Sequence, residues 1–478
     1  MTGFNDKLLK AWGSVSPRFL PFADAATAEL PLGRLLRLSL FQVTVAMAFV
    51  LLNGTLNRVM IVELGVPTFV VSIAVSLPLL FAPFRALVGF KSDTHKSALG
   101  WKRAPYIWFG SLLQFGGLAI MPFALLVLSG DTTGPAWIGY AGAALAFLLV
   151  GAGLHTTQTA GLALATDIAP SHARPRVVAF LYVMLLLGMV GSSIVFGWLL
   201  SEFSQVRLIQ VVQGAAALTM VLNLVALWKQ EVRDPSKTRG RGEDEPGFVE
   251  AWKALTASGP WMRVLVSVAL GTAAFSMQDI LLEPYGGEVL HLSVGQTTAL
   301  TGLLAGGTLF GFLVASVALS AGFDPFRLAA LGAVAGLAAF PLVIVSAPTE
   351  SVTAFRAGAV LIGFGSGLFS VGTLTAAMNL SAGAANGLAL GAWGAVQASA
   401  AGLAIAIGGL IRDAVSALAV SGRLGEALSS PATGYTTVYH IEIILLFATL
   451  VAIGPLVGLE RMNRSHMPAK FGLAEFPG

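Results

Sequence analysis

Two carboxylates stand out in a long apolar segment of the chain. Asp279 and Glu283 lie four residues apart in the apolar run 261–284, so a regular helix would present both on one face. Carboxylates in a segment of membrane-spanning length are costly and normally face a cavity or a partner group. Pro284 and the two glycines that follow it predict that this helix ends there, at the membrane surface.

A candidate partner for these carboxylates lies in the first apolar segment. Asn57 and Arg58 align with Gln278 and Asp279 when the two halves of the chain are treated as a repeat. We therefore expect an ion pair between Arg58 and Asp279, or between Arg58 and Glu283, that neutralises both groups and closes the outer side of a bundle. A purely structural pair is the alternative interpretation.

Another apolar segment carries a polar stripe, with His155 near its middle. Gln158 and Thr159 share a helical face with this histidine. Neutral imidazole is a common metal ligand, including for metals held in tetrapyrroles. His155 is therefore a candidate axial ligand of a pigment metal, and a hydrogen bond to a neighbouring helix is the alternative.

The last apolar segment begins with a second histidine, His440, and the carboxylate of Glu442. Together they could form a polar ligand site near Asp279 and Glu283, with His440 as a second candidate axial ligand. Aromatic residues at this depth are typical interface anchors, which is the alternative reading of the whole stretch.

The composition bounds the class of protein. The chain has 478 residues, of which 56% are hydrophobic and 11% charged, and its mean hydropathy is +0.80. These values are typical of integral membrane proteins. The chain has no cysteine, which excludes disulfides and thiolate metal sites. No catalytic or nucleotide-binding motif occurs in a sequence context that would support its function. We therefore expect no enzyme activity and no binding of nucleotides, free metal ions or nucleic acid.

Twelve segments are long and apolar enough to span a bilayer, which predicts an all-α integral membrane protein. A basic stretch rich in Gly and Pro separates six of them from the other six. The segments are 35–62, 66–88, 105–129, 135–165, 176–200, 206–229, 261–284, 293–320, 325–346, 352–380, 385–412 and 436–459. The expected organisation is an N-terminal segment 1–34, a half 35–229, a linker 230–260, a half 261–460 and a tail 461–478.

The distribution of basic residues predicts the orientation. Most of the 28 Lys and Arg residues fall on the cytoplasmic side if the N-terminus is cytoplasmic. This is the bias that membrane insertion favours, so both termini and the linker are expected in the cytoplasm. The basic linker could also contact anionic membrane lipids.

The loop after the second segment contains Gly89, Asp93, Lys102 and Arg103. It resembles the signature loop of the major facilitator superfamily, in which a glycine, an aspartate and basic residues lock neighbouring helices. Its basic residues lie further downstream than in that pattern. Two six-helix halves related as a parallel repeat are also the architecture of that superfamily.

Seven stretches are more specific than composition or spacing. They are LGRLLRLSLFQ (32–42), LNGTLNRVMIVEL (52–64), SDTH (92–95), PYIWFG (105–110), TQTAGLALATD (157–167), QDILLEPYGG (278–287) and VYHIE (438–442). They resemble the PucC/LhaA family, the bacteriochlorophyll-delivery branch of the major facilitator superfamily in phototrophic bacteria. The resemblance runs from about Pro17 to Arg461.

This resemblance implies an assembly factor for light-harvesting complexes in the bacterial inner, intracytoplasmic photosynthetic membrane. Such a protein would bind bacteriochlorophyll and deliver it to antenna polypeptides, or chaperone those polypeptides into an LH1 or LH2 ring. It would lie near the reaction centre, chlorophyll synthase and the membrane insertion machinery. The resemblance does not fix the pigment contacts. On residue type and position, the candidate pigment-binding residues are His155, Gln158, Gln278, Asp279, Glu283, His440 and Glu442.

Two other functions stay open at the level of sequence. In a proton-coupled, alternating-access transporter, Asp279 and Glu283 would be protonation sites. In a scaffold without pigment, the lipid-facing surface would bind antenna helices. The client, LH1 or LH2, is left open as well.

Overall fold

The computed structural model describes residues 30–81, 101–128, 135–170, 174–231, 260–380 and 386–458, with the single positions Thr27, Val88 and Ser92. Within these ranges all regular secondary structure is helical. Eleven helices there are long and apolar enough to cross a membrane, and Thr68–Leu79 is a shorter apolar helix at the second predicted position. The predicted all-α membrane class is confirmed.

The helices follow from long apolar runs, because a backbone in hydrocarbon must satisfy its hydrogen bonds within its own helix. We number them α1 to α12 in chain order. They are α1 Leu32–Glu63, α2 Thr68–Leu79, α3 Ala104–Leu128, α4 Ala136–Ile168, α5 Arg174–Leu199, α6 Gln205–Leu227, α7 Trp261–Glu288, α8 Val294–Ser320, α9 Pro325–Ser346, α10 Val352–Leu380, α11 Asn386–Val420 and α12 Ala432–Ile453.

The twelve helices form two sets of six, α1–α6 and α7–α12. Within the sets, α3 packs along α4, α9 along α10, and α7 along α11 and α12. Between the sets, α5 packs against α8 and α2 against α11. We call the end with Arg103 and Asp167 the predicted cytoplasmic end, and the end with Glu63 and Glu288 the predicted outer end.

The predicted end of the seventh helix is wrong, because α7 continues through Pro284 to Glu288. Pro284 lies in the first turn of the α-helical segment Leu282–Glu288, where a backbone N–H has no partner within the helix to lose. The interruption comes earlier, where Met277–Ile280 forms a 3₁₀ turn.

The first helix is also irregular towards the predicted outer end. Its segments Val50–Leu56 and Val59–Glu63 have π-helical hydrogen bonding, and the N–H of Leu64 bonds the carbonyl of Val59 at 3.0 Å. Such wide turns are rare and often occur at functional sites. Both helices that begin a half are therefore distorted where sequence analysis places candidate functional residues.

Candidate functional site

The interruption of α7 is held by a carboxylate from α12. In a regular helix the N–H of Gln278 would bond a carbonyl of its own helix, but here it donates to Oε1 of Glu442 at 2.7 Å. Gln278 and Glu442 are both buried. The side-chain amide of Gln278 donates to the carbonyl of Phe275 at 3.1 Å and to Oδ1 of Asp279 at 2.6 Å. A carboxylate and an amide thus replace the lost helical hydrogen bonds.

The predicted pair between Arg58 and Asp279 is wrong. Arg58 forms its ion pair with Glu63 of the same helix and donates to the carbonyl of Leu292 at 3.2 Å. The π-helical backbone explains this choice, because it brings residues five positions apart next to each other. The second expectation is closer, because Arg58 and Glu283 lie at the same contact between α1 and α7, Arg58 against Gly287 and Glu283 against Gly54; the ion pair described for Arg58 is the one with Glu63.

Asp279 and Glu283 do not share one face as a regular helix would require. Asp279 contacts the amide of Gln278, whereas the buried carboxylate of Glu283 accepts a hydrogen bond from Thr301 of α8 and lies against Gly54 of α1. The 3₁₀ turn between them changes the helical phase, so the two carboxylates meet different neighbours.

The polar stripe of α4 lies within the first six helices. His155 is half-buried, and Gln158 is buried and donates to the side chain of Gln42 at 3.5 Å. The neighbouring Thr157 accepts from Gln114 at 3.0 Å. The described partner of Gln158 is therefore on α1, and not in the cluster around the α7 interruption.

His440 and Glu442 point in different directions, so the predicted joint site is wrong. Side chains two positions apart in an α-helix point in directions that differ by roughly 200° around the helix axis. Glu442 is buried against α7, whereas His440 is exposed on the same face as Ile444 and Phe447. In a bilayer that face meets lipid.

The geometry of His440 suits ligation of a metal from outside the bundle. Its Nδ1 lies 2.6 Å from the carbonyl of Thr436, one helical turn earlier. A hydrogen bond from Nδ1 to this carbonyl leaves Nε2 as the free acceptor nitrogen, an arrangement common among metal-binding histidines. Ile444 and Phe447 are 65% and 56% exposed, so an apolar surface continues along the helix. These groups fit an apolar magnesium tetrapyrrole.

An apolar cavity of about 610 Å³ lies between α7, α11 and α12. Its lining includes Ala269, Ala273, Ala395, Ser399, Ala400 and Ala404. It also includes Leu403, which is 64% exposed, so the cavity opens at the outer surface of the bundle. Within the described residues, no group of three or more His, Asp or Glu side chains could hold a free metal ion.

Only part of the signature loop lies within the described residues. Gly89 and Asp93 lie outside the described residues. The backbone N–H groups of Lys102, Arg103 and Ala104 donate to the carboxylate of Glu231 at 2.5–3.1 Å, which caps the N-terminus of α3.

The side chain of Arg103 makes two further contacts at this end of the bundle. It pairs with Asp167 at 2.9 Å and donates to Ser92 at 2.5 Å. Sequence analysis missed the roles of Glu231 and Asp167. The position of Glu231, a carboxylate four residues after the end of the sixth helix, is the signal that could have indicated a cap.

The fold and these sites define a multi-pass membrane protein with the major facilitator superfamily fold. A solved structure of a bacterial homologue of the human lysosomal transporter Spinster, in an inward-facing and unoccupied conformation, resembles it with a TM-score of 0.69. The likeness covers 91% of this chain and 98% of that chain at 16% sequence identity, and it shows the fold alone.

Relatives identify the family. The family model described as PUCC protein matches residues 55–461, and the chain belongs to this family. It is 60% identical over 407 residues to protein PucC of Rhodovulum sulfidophilum, which covers 84% of this chain and 90% of that protein. It is 56% identical over 469 residues, 97% of this chain and 98% of the other, to an uncharacterized protein in the puhA-bchM intergenic region of Rhodobacter capsulatus.

Proposed function

We propose that this protein is an assembly factor for photosynthetic light-harvesting complexes, which binds bacteriochlorophyll and antenna polypeptides without catalysing a reaction. Membership of the PUCC family supports a role in the assembly of light-harvesting complexes. The observation that carries the pigment-binding part is His440, a lipid-facing imidazole whose Nδ1 is engaged by its own helix and whose Nε2 has no hydrogen-bond partner among the described residues. The client ring is LH1 or LH2.

In this proposal the pigment meets the protein from the lipid. When bound, bacteriochlorophyll would present a magnesium ion, and the imidazole of His440 would be the group that holds it. The carbonyl of Thr436 orients the imidazole of His440, and the side chains of Ile444 and Phe447 supply apolar contact beside it. The cavity between α7, α11 and α12 offers further apolar surface of the size typical of ligand sites.

The remaining candidate pigment residues rank below His440 because of their positions. His155 and Gln158 lie inside the first six helices, so a pigment there would have to enter between helices. Gln278, Asp279, Glu283 and Glu442 are engaged in bonds that hold α7. They would become pigment contacts only if the α7 interruption rearranged.

The proposed partners are antenna polypeptides, whose apolar helices can reach the lipid-facing surface. The reaction centre–LH1 complex, chlorophyll synthase, the insertion machinery and membrane lipids are further proposed neighbours. The proposed location is the intracytoplasmic photosynthetic membrane with both termini in the cytoplasm, as the basic residues predict.

Proton-coupled transport is the second candidate function. The specific observation in its favour is the pair of carboxylates, Asp279 and Glu283, within the membrane-spanning helix α7. Proton-dependent uptake of a small or tetrapyrrole-like substrate by the purified protein in vesicles would support it.

The test is an absorption spectrum of the protein purified in mild detergent, with mass analysis of co-eluting chains. We expect a bacteriochlorophyll band and antenna polypeptides. Replacing His440 with Leu removes the axial ligand and should lower the bound pigment about tenfold. The same substitution at His155 is the matched comparison and should leave the pigment unchanged.

Other outcomes would redirect the proposal. If His440→Leu keeps its pigment and His155→Leu loses it, the site lies inside the first half. A colourless protein that still captures antenna polypeptides would indicate a scaffold. A colourless protein without partners would contradict the proposal and favour the transport assays.

A further inference from the structure

The outer parts of α1 and α7 meet through a reciprocal arrangement of charges and glycines. Gly54 of α1 lies against the carboxylate of Glu283, and Gly287 of α7 lies against the guanidinium of Arg58. A Cβ at Gly54 would be 2.7 Å from Oε1 of Glu283, and one at Gly287 would be 3.0 Å from Nε of Arg58. Each helix therefore carries a glycine where the other carries a buried charge.

Hydrogen bonds between the two halves surround this contact. The hydroxyls of Thr55 and Thr298 are 3.1 Å apart, and the amide of Asn57 donates to the carbonyl of Ile280 at 3.5 Å. Arg58 donates to the carbonyl of Leu292 at 3.2 Å. These bonds join α1 to α7, to α8 and to the turn between them.

A second seam joins α2 to α11. The N–H of Phe69, in the first turn of α2, donates to Oδ2 of Asp413 at 2.7 Å, so a carboxylate of one half caps a helix of the other. Arg412, beside it, pairs with Asp413 and Glu288 and contacts Tyr435. The cap on α2 is thereby tied to the end of α7 and to the start of α12.

We propose that these two seams form a permanent wall, so that the protein works with its predicted outer end closed. Both seams join the set α1–α6 to the set α7–α12. Opening this end would separate the two sets, so the bonds on α1, α2, α7, α8 and α11 would have to break together. The inference goes beyond the proposed function, since it states how the bundle behaves and not what it binds. Pigment and polypeptide then reach the protein from lipid or from the predicted cytoplasmic end.

The absence of native cysteine allows a direct test. The pair Thr55→Cys and Thr298→Cys places two thiols where hydroxyls now lie 3.1 Å apart, close enough for a disulfide after small side-chain rotations. In a phototrophic strain lacking the native protein, we expect the full-length pair to cross-link and to support the same antenna absorbance as either single variant. The proposal of a permanent wall would be overturned if the cross-linked pair lost antenna absorbance while the single variants kept it. It would also be overturned if the pair formed no cross-link.

A labelling experiment needs only one substitution and no disulfide. Asn57→Cys places a thiol at a buried position of the wall, and Glu426→Cys places one at an exposed position between α11 and α12. A membrane-impermeant maleimide added to the outer side should label position 426 and spare position 57. Comparable labelling of both would overturn the wall, whereas failure of the unmodified chain to restore antenna would contradict only the proposed function.

Discussion

The helices α1 and α7 begin the two halves, and both leave α-helical geometry near the predicted outer end, but in opposite senses. α1 widens into π-helical turns over Val50–Leu56 and Val59–Glu63. α7 tightens into a 3₁₀ turn at Met277–Ile280. With Asn57 aligned to Gln278, the 3₁₀ turn of α7 falls at the junction of the two π-helical segments of α1, so the two helices are distorted in the same region but in different forms.

The difference decides where each helix finds its support. The wide turns of α1 keep their hydrogen bonds within the helix, as the bond from Leu64 to Val59 shows. The tight turn of α7 releases the N–H of Gln278, which must take Glu442 of α12 as its acceptor. The backbone of the wide turn in α1 is therefore hydrogen-bonded within its own helix, whereas α7 takes one backbone acceptor from α12, a distant part of the chain.

The largest expected effect follows from removing that acceptor. Glu442→Leu leaves the buried N–H of Gln278 without a partner in a nonpolar environment, which should cost about 3 kcal/mol of folding free energy. The loss can be measured by equilibrium unfolding in mixed micelles, or as a lower thermal midpoint in mild detergent.

The conservative variant separates the acceptor from the charge. Glu442→Gln keeps an oxygen acceptor at the same position and should retain most of the stability. If Glu442→Gln is as damaging as Glu442→Leu, the charge of Glu442 matters, and its hydrogen bond to α7 does not explain the effect.

A smaller effect is expected on the side of α1. Gly54→Ala forces a methyl group against Glu283 and Thr301, and overpacking of this kind should cost about 2 kcal/mol. The matched control is Gly191→Ala in α5, where a Cβ would meet nothing within 4 Å. Thermal unfolding should distinguish the two, and equal stability of both variants would show that α1 and α7 are further apart than described.

Much of the fold could be predicted from the sequence because long apolar runs have few structural solutions in a membrane. The boundaries of α11 and α12 were less accurate, since α11 extends to Val420 and α12 begins at Ala432. Exposed loops and helix ends share the same Gly, Ala and Ser residues here, so composition does not mark the boundary.

The pairing of Arg58 was mispredicted for a physical reason. The sequence suggested a partner on the repeat-related helix, but a π-helical backbone brings Glu63, five residues later, to the same side. Apolar periodicity does not reveal such turns. The separation of His440 from Glu442, in contrast, could have been predicted from their spacing alone.

The smallest expected effect concerns the hydrogen bond from the side chain of Asn57 to the α7 interruption. Asn57→Ala removes a long bond, 3.5 Å, to the carbonyl of Ile280 and should cost about 0.6 kcal/mol, a typical value for polar contacts between membrane helices. Asn53→Ala is the matched control, since Asn53 bonds Phe49 of its own helix. If Asn57→Ala instead destabilises the protein as strongly as Glu442→Leu, the two distortions act as one unit. A cost near that of the control would mean that the interruption of α7 depends on Glu442 of α12 and on the side-chain amide of Gln278, with little contribution from Asn57.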